Sequence, residues 1–551
     1  MIKNLLLSFL TVIFCLLVGE SVMRSVGPPY FDSLFWEYEP ELGWTNRKDC
    51  FFYSTGGDKK PILVEFNKEG FRGNNYPAEK PAYTRRVIIL GDSFSEATQV
   101  NVEEIYWRRL STLLGSNNGN YRWEVINFGV GDYSTTQEYL TLVSKALDYS
   151  PDLIVLQVFP GNDVCNNTIV APNIASPQDE YRPYFDPETQ YRTITYLSPA
   201  TSWFRRHFSL FRFIDIRIRH LASNVIGKPD PGSRDFWLAE VEEKLMELGL
   251  PRISFYDYQL YSAAASILSN TFAEPEYQFP FIREGWKVTD HAIRKIVSVA
   301  EDVGIPVIVL VFPSEIQFPP KYAICLNELP FPIDRYYPGR RIADLLRSYN
   351  VPVLTFIDRF EESLYEVTPF IDGHFNAAAH EIVANILAEV VGEVLPEAPY
   401  YQFGKTVSFD EQGAGRKFIA YGIAQPSAGT SWTIANKAGI HLRLPPTRTS
   451  LVMTLRAIPF APEELGMSQF VEVYFNGGRI ARWSLSGKHV KAYRGLVTPS
   501  LVAANDPAEI LFEFSERRSP HELGISQDKR LLGLALVDIV IDQVSASKFS
   551  D

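Results

Sequence analysis

The stretch VIILGDSFSEAT, Val87 to Thr98, decides the fold. Four aliphatic residues in a row read as a strand covered on both faces, and Gly91 reads as the break where the chain turns toward a helix. Ser93 is thereby expected at a strand's carboxyl end. A serine at a helix start is commonly a cap. Chemistry there depends on what the neighbouring strand ends supply: a base for the hydroxyl, a group to orient that base, and donors for an oxyanion.

Outward from this stretch, aliphatic runs at Val87 to Leu90, Val125 to Asn127, Leu153 to Phe159, Val307 to Phe312 and Val353 to Ile357 read as strands. They alternate with helix-like segments near Glu103 to Leu114, Thr135 to Leu147, Val288 to Val303, Arg340 to Tyr349 and Ala377 to Val391. This alternation predicts an α/β unit, a parallel sheet with helices on both faces, over about 85–398. Such sheets bind ligands at their strands' carboxyl ends. An irregular lead-in is expected over 28–84. An insertion over about 165–284, containing TSWFRRHFSLFRF and DFWLAEVEEKLMELG, emerges at the same edge as Ser93 and reads either as a lid or acceptor surface or as a packing subdomain. From 401 to 551, short alternating runs such as LVMTLRAI and FVEVYFNGGRIARWSL predict an all-β sandwich or jelly roll, with Asn476-Gly477-Gly478 as a hairpin connection. Trp432 and Trp483 are read there as exposed aromatics suited to a carbohydrate, with a core role as the alternative.

A 551-residue chain with 46% hydrophobic and 21% charged residues is globular and multi-domain. Its formal net charge of -12 and lack of a basic block argue against a nucleic-acid partner. Residues 1–27 hold Lys3 and then a run dominated by apolar residues from Leu5 to Val18. This reads as a signal peptide or a short membrane anchor, and the bulk of the chain is expected outside the cytoplasm, periplasmic or at the cell surface. Four widely spaced cysteines make neither a disulfide framework nor a paired-Cys metal signature.

Three loops supply candidate partners for Ser93. INFGVGDYSTTQE follows the second strand, and backbone N–H groups near Gly131 and Asp132 can face the serine. FPGNDVCNN follows the third, where the Asn162 amide can donate to an oxyanion and Asp163 can brace the loop; a plain turn is the alternative. PFIDGHFNAAAHEIVANIL follows the fifth. Its Asp372-Gly373-His374 can set a carboxylate on Nδ1 and leave Nε2 as the base. His380 reads as structural, Asp290-His291 as a helix start far from a strand's carboxyl end, and no metal or other cofactor is expected, since no tight ligand spacing is present.

Taken together in order, GDS, the glycine loop, GND and DGH resemble the SGNH, or GDSL-like, hydrolases across roughly residues 60–395. The lead-in EFNKEGFRGNNY and DGHFNAAAHEIVA are similar to exported or membrane-tethered bacterial members. The resemblance implies a flavodoxin-like α/β/α sandwich, a Ser93 nucleophile, a His374 base oriented by Asp372, and an oxyanion hole from the Ser93 N–H, the Gly131/Asp132 backbone and Asn162. Two departures stand out. Asp372 is two residues before His374 rather than three, which looks like the branch related to alginate-acetylation proteins. Asp132 stands where the family tends to have its oxyanion glycine. The expected activity is hydrolysis of O-acyl, most simply acetyl, esters on a polysaccharide, with polysaccharide-export or acetylation machinery as a partner. The alternatives are an O-acetyltransferase using the same site and a non-catalytic polysaccharide-binding protein that keeps the fold.

Overall fold

The computed structural model describes residues 11, 14–22, 35–55, 60–81, 84–116, 121–167, 182–185, 193–194, 208, 210–211, 214, 278, 280–318, 334–363, 369–371, 373–395, 398–460, 469–503, 507–515, 517–528 and 530–544. Most of the insertion therefore lies outside the described residues, DFWLAEVEEKLMELG wholly and TSWFRRHFSLFRF but for residues 208, 210 and 211, as does most of the apolar N-terminal run. No helix among the described residues is long and apolar enough to cross a membrane.

The lead-in is not irregular. It carries two antiparallel hairpins, β1 (Trp36–Glu39) with β2 (Gly43–Asn46) and β3 (Phe51–Thr55) with β4 (Pro61–Glu65). Each strand is only four or five residues long, too short for a period to stand out in the sequence. Leu42, Trp44 and Phe71 are buried in the main core, so this segment belongs to the α/β unit.

That unit continues through β5 (Thr84–Leu90), the one-turn α1 (Ser93–Glu96), α2 (Tyr106–Ser116), β6 (Arg122–Asn127), α3 (Thr135–Ser144), β7 (Leu153–Val158) and α4 (Pro160–Asn166). After the short β8 (Tyr184–Phe185) and β9 (Thr193–Ile194) come α5 (Pro280–Asp302), β10 (Val307–Val311), α6 (Tyr337–Leu346), β11 (Val353–Thr355) and α7 (Ile357–Ser363). The ribbon β12 (Phe370–Ile371) and β13 (His374–Phe375) leads into α8 (Ala377–Val394). The five parallel strands lie in the order β6-β5-β7-β10-β11. Counted along the chain this is 2-1-3-4-5, a common doubly wound order. All of β7 and β10 is buried, as a sheet covered on both faces requires. Alternate residues feed two cores. Ile88, Leu90, Ile154 and Val309 pack with α3, α5 and α6, while Val87, Ile89, Val155 and Leu310 pack with α2 and α8. Asp290 and His291 fall inside α5 rather than at its start, and Asp290 pairs with Arg341 on α6.

The C-terminal module is a sandwich of two five-stranded antiparallel sheets. One holds β14 (Val407–Ser408), β16 (Ser431–Trp432), β18 (Leu451–Pro459), β21 (Lys491–Val497) and β23 (Leu534–Gln543). The other holds β15 (Ile419–Tyr421), β17 (Lys437–Leu442), β19 (Gln469–Phe475), β20 (Gly478–Leu485) and β22 (Ala508–Phe514). Phe475 pairs with Gly478 across a two-residue turn in which Asn476 and Gly477 have φ of 49° and 80°. Positive φ at both positions matches the right-handed twist of the flanking strands. Trp483, read above as an exposed aromatic, is buried in the sandwich core, where its indole N–H donates to the Arg494 carbonyl at 2.8 Å. Trp432 is half-buried and packs edge-on against Phe460.

The sandwich meets the α/β unit at the amino ends of the parallel strands. Tyr121, just before β6, has its hydroxyl 2.7 Å from His441 Nδ1, and Lys80, just before β5, lies 4.9 Å over the Tyr421 ring. A strand of six or seven residues spans about 20 Å, so the sandwich docks at the opposite end of the sheet from Ser93.

Candidate active site

Ser93 is the first residue of α1, immediately beyond the carboxyl end of β5. Asp92 caps the turn, its Oδ1 accepting from the Phe94 N–H at 2.9 Å. Gly91 is needed for room rather than for a special backbone conformation: a Cβ there would lie 2.4 Å from Ser95 Oγ and 2.5 Å from Gln157 Oε1. Gly129 serves the same end from the next strand, where a Cβ would lie 2.5 Å from that of Ser95. Ser95 is thus wedged between two glycines. Its hydroxyl bonds Gln157 Oε1 at 2.9 Å and sits 2.7 Å from the Tyr106 hydroxyl, fixing α1 from beneath.

His374 arrives on the β12–β13 ribbon, paired with Ile371 and turned through Gly373 at φ 73°. Its Nε2 lies 2.8 Å from Ser93 Oγ. The imidazole leans on Phe94, with ring centroids 5.0 Å apart, and the adjoining Phe375 is buried against Phe94, Phe312 and Phe360. This aromatic packing holds the ribbon, and with it the base, against α1. Asp372 lies outside the described residues. His380 does not join the pair. It is buried on α8, stacked on Tyr106, with its Nδ1 accepting from the Tyr106 N–H at 3.4 Å. Burial and neighbouring cations push its pKa down to about 3, so the ring stays neutral.

The second loop reaches the start of the Ser93 turn, where the Val130 N–H donates to the Gly91 carbonyl at 3.3 Å. Asn162 lies in the first turn of α4, half-buried, with an Oδ1 that has no hydrogen-bond partner among the described residues. Asp163 is fully buried and braces the loop, its Oδ2 accepting from the Phe159 N–H at 2.7 Å. Asp132 adopts φ of 65°, the left-handed region where glycine is the usual residue and Asp is among the best tolerated alternatives. Its carboxylate turns toward Arg182 Nη2 at 2.7 Å and Asn166 Nδ2 at 2.9 Å. A Cβ on Gly131 would lie 2.8 Å from Glu96 Oε2.

Several carboxyls beneath Ser93 are held toward their neutral form. Burial raises the Asp92 pKa to about 7 against the pull of the Phe94 N–H and the Gln157 and Asn162 side chains. Burial likewise raises Glu96 to about 7, and it raises Asp163 and Glu138 well above the usual range, helped at Asp163 by the charge of Asp92 and at Glu138 by those of Asp163 and Asp92. Two arginines that the motifs did not single out hold this layer together. Arg72, in the GFRG of the lead-in, is buried and donates to the carbonyls of Glu96 and Ala97 at the end of α1 and of Val100 beyond it. Arg182 emerges from the insertion. Arg72 at least stands in a quoted motif, whereas nothing in YRPYF marks Arg182.

No protein-family model matches this chain, and no curated protein does. Among solved structures it is similar to a two-domain esterase active on acetylated mannans, at 9% identity and a TM-score of 0.25 over 84% of this chain and 91% of that one. It is also similar to an acetylxylan esterase from Geobacillus stearothermophilus, at 11% identity and 0.28 over 56% and 94%. A third is a GDSL-like lipase from Bacteroides thetaiotaomicron, at 11% and 0.23 over 56% and 88%.

Proposed function

We propose that this protein is an SGNH-type serine esterase that hydrolyses O-acyl esters, most simply acetyl, on an exported or cell-surface polysaccharide. The observation that carries the reading is the 2.8 Å contact between His374 Nε2 and Ser93 Oγ at the carboxyl edge of a doubly wound sheet. In that geometry His374 takes the serine proton as Oγ attacks the ester carbonyl, then returns it to the departing sugar alkoxide. The oxyanion is received by the Ser93 and Asp132 N–H groups and the Asn162 amide, placed before the charge develops. Water, activated by His374, releases the acid from the acyl-enzyme. Asp372 is assigned to orient His374 from its place in the sequence. The N-terminal segment is assigned to hold the enzyme at a membrane on the extracytoplasmic side, a role suited to the exposed Phe14, Leu16 and Leu17 of its helix.

The test is acetate release from an acetylated oligosaccharide, beside Ser93→Ala. The reading expects Ser93→Ala to lower turnover by at least about 10³-fold. Equal release from both proteins would refute it, and transfer of acetyl to a second sugar in place of free acetate would establish the transferase.

A further inference from the structure

We propose that Arg182 is a positioning residue that makes Asp132 serve as an oxyanion donor, so that an arginine clamp does here what a bare glycine backbone would otherwise do. The inference rests on the esterase reading and adds to it a residue outside the Ser/His/Asn constellation.

An oxyanion donor at Asp132 needs three things at once. The peptide must be turned into the left-handed region, its N–H must be left unengaged, and its carboxylate must be kept away from the developing negative charge. Asp132 has φ of 65°. Its N–H makes no hydrogen bond among the described residues, although its other polar groups are all engaged. Arg182 engages both the carbonyl, through Nη1 at 2.7 Å, and the carboxylate, through Nη2 at 2.7 Å. Gripping the two ends of one residue fixes the peptide's rotation, and the planar guanidinium gives that grip a defined direction. The arginine is itself immobilised. It is fully buried, bonds Gln137 Oε1 at 2.9 Å, and lies 4.8 Å over the Trp44 ring. Trp44 in turn donates to the Gly131 carbonyl at 3.1 Å, and the Tyr133 hydroxyl donates to the Trp44 carbonyl at 2.5 Å. The loop is therefore held from the lead-in on one side and from the insertion on the other. Gly131 itself is kept small by its surroundings, since a Cβ there would lie 2.8 Å from Glu96 Oε2 and 2.9 Å from the Trp36 ring.

The experiment measures kcat and KM for acetate release by wild type, Ser93→Ala, Arg182→Lys, Arg182→Gln, and Arg182→Gln combined with Asp132→Gly, with folding checked by thermal melting. Arg182→Gln should lower kcat by about 10²- to 10³-fold, the range for loss of an oxyanion donor, with KM changed less than about threefold. Arg182→Lys should fall short of wild type, since a point charge cannot grip both groups. Asp132→Gly on the Arg182→Gln background should restore kcat at least tenfold, because glycine takes the left-handed conformation unaided and removes the unpaired carboxylate. A merely structural arginine would not give this rescue, since Asp132→Gly adds no packing. Unchanged kcat in Arg182→Gln, or a loss that Asp132→Gly does not reverse, would overturn the clamp while Ser93-dependent turnover kept the esterase reading intact. Absence of any Ser93-dependent turnover in wild type would overturn both.

Discussion

Each residue around Ser93 is fixed by what touches it. Gly91→Ala would push a methyl into Ser95 Oγ and Gln157 Oε1, both already hydrogen-bonded, so the variant is expected to lose about 1–3 kcal/mol in urea unfolding and to displace Ser93. Wild-type stability in that variant would mean that α1 rebuilds easily. The motif residues Ser93 and Asn162 were legible because short polar motifs follow buried strands, whereas His374 was legible from its Asp-Gly-His motif, since a helix and a two-residue strand separate it from β11. Arg72 and Arg182 were not legible in that way. Their roles are set by carbonyls and a carboxylate brought in from distant segments, and no local spacing encodes such contacts.

At the scale of elements, α1 is a single turn that cannot support itself, and it depends on the layer below it. Arg72→Ala should cost about 3 kcal/mol, since a buried cation donating to carbonyls at the end of that turn and beyond it is removed; chemical denaturation would measure the loss. The carboxyls under α1 give a definite pH profile. Asp92 and Glu96 have folded pKa values raised to about 7, so between about pH 4 and pH 7 the folded protein keeps protons that the unfolded chain gives up. Stability from these groups is therefore greatest near pH 4, falls as pH rises to about 7, and levels off above. Asp92→Asn, which preserves an acceptor for the Phe94 N–H, should flatten the decline in urea midpoints across that window; an unchanged slope would remove Asp92 from the account. The parallel strands were readable from sequence because each holds aliphatic residues, although in β6 (RWEVIN) only Val125 and Ile126 signal it, whereas the hairpins of the lead-in were hidden by their brevity. The fifth strand read two residues too long, since Ile357 continues the apolar run but opens α7.

At the scale of the whole molecule, the sandwich sits at the amino ends of the sheet and the serine at the carboxyl ends. A glycan held on the sandwich would therefore reach Ser93 only by passing around the α/β unit. The contact between the two units combines polar and aromatic pairs with Ile434, whose Cδ1 packs at Gly304. Tyr121 meets His441, whose Nε2 lies 3.3 Å from Glu509, and Tyr421 donates to the same carboxylate at 2.8 Å. Burial opposes the Glu509 charge, but His441, Tyr421 and Lys80 outweigh it and leave its pKa below the usual value. The contribution of Glu509 is thus present above the ordinary carboxylate range and lost as pH falls through it. Tyr121→Phe should cost about 1 kcal/mol and loosen docking, seen as earlier melting of one unit in calorimetry; a single unshifted transition would mean that the contact contributes little. The all-β character of the C-terminal module was visible in its period-two runs, but the exposure of its tryptophans was not. Trp483 lies on an inward position of β20, a matter of register that periodicity alone leaves open by one residue.

The central claim is that Ser93 carries the acyl group between two half-reactions, with His374 moving the proton. The most direct test incubates the protein with an activated acetyl ester, quenches in acid, and maps the adduct by peptide mass spectrometry in wild type, Ser93→Ala and His374→Gln. The account predicts acetyl on Ser93 in wild type, none at that position in Ser93→Ala, and formation slowed by orders of magnitude in His374→Gln. Acetylation confined to surface lysines and identical in all three proteins would contradict it.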